Sequence, residues 1–99
     1  MSINTQTQTL TTIHIPTPLR KFTGGQTGVG VQGKTVGQAL ADLTSQFPAL
    51  KQHLYNEQGA LRSFINIYLG DEDIRYLDRE QTPLGADATL SIVPSIAGG

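Results

Sequence analysis

The chain has neither cysteine nor tryptophan among its 99 residues. Without thiols it can form no disulfide, bind no metal through thiolate and use no cysteine nucleophile. It also lacks any excess of charge: seven Lys and Arg stand against eight Asp and Glu, a formal net charge of −1. The basic residues are scattered, so no polybasic stripe points to nucleic acid or an anionic membrane. No apolar run approaches the roughly 20 residues of a membrane-spanning helix. The first nine residues, Met-Ser-Ile-Asn-Thr-Gln-Thr-Gln-Thr, have neither the positive flank nor the apolar stretch of a signal peptide. The expected location is the cytoplasm. A chain this short makes one domain, yet it is long enough to bury a small α+β core without covalent staples.

What is present follows a clear order. Residues 1–9 are polar and patternless, and read as a flexible lead-in. Leu10, Thr12 or Ile13, and Ile15 suit a first strand ended by Pro16 and Pro18. The glycines of 19–28 read as a loop, and Val29 and Val31 alternate with Gly30 and Gln32 as a second strand. Thr35 followed by Gln38 is a capping-box signature. Val36, Ala39, Leu40, Leu43 and Phe47 then recur at helical spacing until Pro48 stops the helix. Ala49–Tyr55 suits a further short helical turn, broken at Asn56–Gly59. Arg62–Leu69 is the strongest strand, rich in β-branched and aromatic residues. Ile74–Tyr76 reads as a brief fourth strand and Leu90–Val93 as the last. The order β-β-α-β-β-β around one main helix is that of the β-grasp, or ubiquitin-like, fold: a mixed sheet packed on one helix.

Several motifs suggest chemistry and fail on context. Residues 28–35, Gly-Val-Gly-Val-Gln-Gly-Lys-Thr, match G-x-x-x-x-G-K-[ST], and residues 28–33 match G-x-G-x-x-G. Both patterns need a strand immediately before the glycines and a helix after them in a parallel βαβ unit. Here the valines are themselves the strand, and the acidic residue expected about 20 positions beyond a dinucleotide fingerprint is missing. Thr35 reads as a helix cap instead. His14 and His53 lie too far apart in the expected fold to pair. Asp71, Glu72 and Asp73 read as a solvated turn, because three adjacent acids cannot all point at one ion. No Ser/His/Asp set has a recognisable signature, so no enzymatic activity is expected.

The C-terminal third carries a resemblance. Phe64-Ile-Asn-Ile-Tyr-Leu-Gly-Asp-Glu-Asp-Ile-Arg-Tyr-Leu-Asp78 resembles the third strand and following turn of the ThiS/MoaD family of ubiquitin-like sulfur carriers. Leu84–Gly99 resembles that family's last turn, last strand and diglycine tail. Ile15–Arg20 and Thr23–Gln26 extend the likeness to about residues 10–99 and point to its CysO-type branch. Two departures stand out: Ser95 replaces a second proline found in many relatives, which is expected to loosen the tail, and Gly85-Ala-Asp87 replaces the common Asp-Gly-Asp.

The resemblance implies a domain over 10–94, with 95–99 a flexible tail whose carboxylate, on Gly99, is adenylated by a ubiquitin-activating-type enzyme and converted to a thiocarboxylate. ATP serves that partner, and the chain binds no cofactor of its own. A sulfur-accepting synthase is the second partner, a cysteine synthase foremost, with a molybdopterin synthase large subunit as another possibility. Gly98, Ala97 and Ile96 form the thin neck. An ionised carboxylate is a poor electrophile until activated, and glycine lets backbone enter a channel too narrow for side chains. Strand alternation places Ile65, Ile67, Leu90 and Ile92 inward. Phe64, Tyr68, Val93 and Ile96 then form an expected docking patch beside the tail. Three alternatives stay open: a molybdopterin-synthase small subunit or thiazole-pathway carrier, a ubiquitin-like modifier joined to lysines through Gly99, and a β-grasp interaction module with an unreactive tail.

Overall fold

A computed structural model describes residues 10–95; the polar lead-in 1–9 and the residues Ile96, Ala97, Gly98 and Gly99 lie outside this range. Alternation decides the first strand. Thr11, Ile13 and Ile15 are buried while Leu10 is 53% exposed, so β1 runs Thr11–His14 and Leu10 falls outside both strand and core. After Pro16, Thr17–Thr23 coils into a 3₁₀ helix rather than an open loop. It buries Leu19 and Thr23, and Gly24 ends it at a left-handed φ of 67°, a conformation that favours glycine. β2, Gly28–Val31, returns antiparallel to β1 with Ile13 opposite Val29.

The main helix, α1, spans Val36–Gln46. The Thr35 hydroxyl accepts from the Gln38 N–H at 3.2 Å, and the Gln38 side chain accepts from the Lys34 N–H at 2.8 Å. The capping box therefore closes one residue earlier than its usual reciprocal form. Val36, Ala39, Leu40 and Leu43 are fully buried, and Phe47 packs at the core's margin before Pro48. A 3₁₀ turn over Pro48–Leu50 leads into the short helix α2, Lys51–Leu54, which buries Leu50 and Leu54.

β3 covers Ile65–Leu69, β4 Glu72–Asp73 and β5 Thr89–Pro94. Two expectations are corrected here. Arg62–Phe64 precede the strand in a turn, closed by the Ile65 N–H donating to the Arg62 carbonyl at 2.9 Å. Ile74–Tyr76 form a 3₁₀ turn, not a strand, because the Asp73 carboxylate accepts from the Arg75 N–H and caps it. The sheet order is β2-β1-β5-β3-β4, with β5 parallel to β1 and antiparallel to β3. Ile13, Ile67, Leu90 and Ile92 meet the α1 stripe in one core. This is the β-grasp arrangement.

Candidate functional site

Pairing between β3 and β5 builds the end of the domain from which residues 96–99 continue. Its register sets Ile65 opposite Pro94, Asn66 opposite Val93, Ile67 opposite Ile92 and Tyr68 opposite Ser91. Ile65, Ile67, Leu90 and Ile92 face the core, so the parity read from alternation holds. Phe64 and Val93 are 46% and 42% exposed, and Tyr68 is half-buried. The fourth residue of the expected patch, Ile96, lies outside the described residues.

A polar chain crosses this face. Asp73 and Arg75 form an ion pair at 2.8 Å, strengthened by further bonds from the Arg75 Nε at 3.3 Å. The Arg75 Nη2 also donates to the Asn66 side-chain oxygen, and the Asn66 Nδ2 donates to the Ser95 hydroxyl oxygen at 2.7 Å. The Ser95 N–H donates to the Phe64 carbonyl, again at 2.7 Å. Side-chain hydrogen bonds from Arg75, then its backbone N–H, hold the Asp73 carboxyl below its ordinary value against partial burial. Asp73 holds Arg75 the more firmly protonated, chiefly through the same side-chain hydrogen bonds.

The expected loosening concerns the tail, most of which lies outside the described residues; Ser95 itself is held. Two hydrogen bonds tie it to Asn66 of β3 and to Phe64 just before that strand, and a proline there would lack the N–H that makes one of them. The chain is anchored one residue beyond the boundary drawn at 94. Alternation already pointed Asn66 outward; only the register and the 3₁₀ turn reveal that Arg75 reaches it.

Of the other motifs one needs correction: Asp71, Glu72 and Asp73 do not form a solvated turn throughout, because Glu72 and Asp73 pair with β3 as β4 and Asp73 is buried. Gly28–Val31 of the nucleotide-like segment is β2. Gly33 serves packing, since a Cβ there would stand 2.6 Å from the Ala39 nitrogen. His14 is exposed on β1, whereas His53 stacks on Phe22 with ring centroids 4.3 Å apart. Of the acidic trio, Asp71 and Glu72 are exposed and Asp73 is engaged by Arg75. Among the described residues no three His, Cys, Asp or Glu side chains gather as a metal site. No described helix is long and apolar enough to cross a membrane.

The fold and the strand pairing define a ubiquitin-like β-grasp protein. The family is specific: the ThiS family model matches residues 13–99, and the chain belongs to that family. Sulfur carrier protein CysO of Mycobacterium tuberculosis is 37% identical over 90 residues, spanning 89% of this chain and 97% of that protein. The CysO chain in a BexX/CysO complex structure from Amycolatopsis orientalis superposes with a TM-score of 0.82 at 38% identity, covering 90% of this chain and 99% of that one. The small archaeal modifier protein 1 of Methanosarcina acetivorans superposes with a TM-score of 0.81 at 26% identity, over 93% and 98%.

Proposed function

We propose that this chain is a cytoplasmic sulfur carrier, not an enzyme, and that Gly99 is its reacting residue. The observation that carries the reading is the ThiS-family match, which runs through the last strand to Gly99 in a chain akin to proteins named sulfur carriers. A terminal carboxylate is ionised at neutral pH, and its oxide is too poor a leaving group for sulfur to displace. Attack of a Gly99 carboxylate oxygen on the α-phosphorus of ATP, held by a partner enzyme, expels pyrophosphate and leaves an acyl-adenylate. A sulfur donor at the sulfide level then displaces AMP, losing its proton, and the thiocarboxylate results. The chain itself binds no cofactor. The thiocarboxylate sulfur is the nucleophile passed to a biosynthetic acceptor, foremost a cysteine synthase, in keeping with the CysO relatives. A molybdopterin synthase large subunit is the rival acceptor.

Docking falls to Phe64, Tyr68, Val93 and Ile96, with Ile96, Ala97 and Gly98 as the neck. From the anchored Ser95 the four remaining residues reach about 13 Å at roughly 3.3 Å each, enough to enter a partner's site while the sheet stays outside. Intact-mass analysis after incubation with the cognate activating enzyme, ATP and a sulfur source should show one oxygen replaced by sulfur at Gly99. Deleting Gly99, or appending a residue, should abolish the exchange. Sulfur transfer by an extended chain that is not trimmed back would defeat the reading. The likeness to the small archaeal modifier protein 1 favours a second reading, conjugation through Gly99; high-mass, Gly99-linked adducts in a cell extract would be its signature.

A further inference from the structure

β2 is an outer strand of the sheet, with β1 on one side and no strand on the other among the described residues. Its pairing with β1 sets which backbone groups face outward. The Ile15 N–H donates to the Thr27 carbonyl at 2.8 Å, and the register continues with Ile13 opposite Val29 and Thr11 opposite Val31. In an antiparallel ladder such hydrogen-bonded pairs alternate with non-bonded ones. Val29 and Val31 therefore use their N–H and carbonyl groups on β1, while those of Gly28, Gly30 and Gln32 point away from the sheet.

An outer row of this kind is a template for a further strand, and proteins commonly blunt it with proline or charged side chains in the strand itself. Gly28-Val-Gly-Val31 has neither. The opposite outer strand, β4, is only two residues long, so β2 is the edge that needs cover. The cover comes from α1. Asp42 and Gln46 stand one helical turn apart, on the same face of the helix. A carboxylate oxygen of Asp42 accepts from the Gln32 N–H at 2.9 Å, and the Gln46 amide donates to the Gly30 carbonyl at 3.2 Å. The Gln46 amide also donates to the same Asp42 oxygen at 3.3 Å, which ties the two side chains together. In a parallel ladder one residue of an incoming strand does the same: its N–H meets the carbonyl of residue i, and its carbonyl meets the N–H of residue i+2. Here the donor and the acceptor address Gly30 and Gln32 in that order.

We propose that Asp42 and Gln46 imitate one residue of a neighbouring strand and so keep β2 from pairing with a second copy of this chain. A second copy is the occupant because the uncapped row is self-complementary: in a two-fold, antiparallel arrangement each outward N–H faces a carbonyl of the same row. Close approach is open to it as well. Gly28 and Gly30 carry no side chain, and a Cβ on Gly30 would meet only the Leu10 Cδ1, at 3.9 Å. The inference stands apart from the chemistry at Gly99.

The test is sedimentation equilibrium of the full-length chain and of the double variant Asp42→Ala/Gln46→Ala over a wide range of concentration. Neither side chain belongs to the core, and alanine suits a helix interior, so the fold should persist; thermal unfolding verifies this. The wild type should stay monomeric. The double variant should dimerise, with a self-association constant at least about tenfold higher, since each uncovered group that regains a partner strengthens pairing severalfold. Asp42→Asn keeps an acceptor for the Gln32 N–H and should remain monomeric, which separates the cap from a simple loss of charge. Adding Gly30→Lys to the double variant puts a charge on the bare edge and should restore the monomer. A double variant no more associated than the wild type would overturn the inference. So would an Asp42→Asn chain that dimerises as readily as the double variant, or a dimer that survives Gly30→Lys.

Discussion

Replacing Asn66 with alanine isolates what the polar chain does for the strand end. The substitution removes the 2.7 Å bond to the Ser95 hydroxyl and the acceptor for Arg75, while the Ser95 N–H keeps its bond to the Phe64 carbonyl. Because water can replace a partly exposed bond, the Asn66–Ser95 contact is worth about 1 kcal/mol or less. Spread over the whole domain, that loss would lower the melting temperature by no more than about 4–8 °C. Confined to the last residue of the paired segment, the same energy raises the open population about fivefold. Native-state hydrogen exchange followed by NMR separates the two cases. Protection at the Ser95 amide should fall about fivefold, while interior amides of β5 keep theirs. Equal loss at Ser95 and throughout β5 would show that Asn66 supports the fold globally; no loss at Ser95 would show that the bond holds nothing in solution.

Strand parity gives a sharper contrast. Ile92→Asp would bury an unpaired carboxylate in the core and should cost more than about 4 kcal/mol, enough to unfold a marginally stable domain, whereas Val93→Asp, on the outward face, should cost about 1 kcal/mol or less in urea unfolding. Acid stability depends on Asp73: with its carboxyl held below the ordinary 3.8, the stability it contributes is present above about pH 4 and disappears as pH falls through the lowered folded value. Arg75→Ala removes the principal cause of the shift, so its unfolding free energy should vary less than the wild type's between about pH 2 and 5, and an unchanged slope would refute the assignment. At the alkaline end, burial and then the charge of Glu80 push the Tyr55 phenol up to about 12, so stability should decline as pH rises from about 10 toward 12, and Tyr55→Phe should remove that decline.

The parts legible in advance were those written as local periodicity. The stripe Val36, Ala39, Leu40, Leu43 repeats at helical spacing, and Ile65, Ile67, Leu90 and Ile92 alternate, so helix, strands and facing followed directly. Ile74-Arg75-Tyr76 misled because β-branched and aromatic residues also suit a capped turn. The decisive contact, the Asp73 carboxylate on the Arg75 N–H, is a side chain competing with the ladder, and Tyr76 stands 86% exposed. The link from Arg75 through Asn66 to Ser95 joins residues up to 29 positions apart. It depends on strand register, which no single segment encodes. The 3₁₀ helix over Thr17–Thr23 was hidden for a related reason, since the glycine-rich stretch after Pro16 gave little sign that Leu19 and Thr23 would fold into the core.

The parallel pairing of β1 with β5 bears on how the molecule is made. The first and last strands lie side by side in the centre of the sheet, so the sheet cannot close during synthesis until almost the whole chain has emerged. Such long-range closure slows folding. It also ties completeness to structure: a polypeptide that stops short of β5 lacks the middle of its sheet, not a dispensable edge. Any molecule whose sheet has closed has therefore been translated at least as far as β5, the strand that joins its two halves.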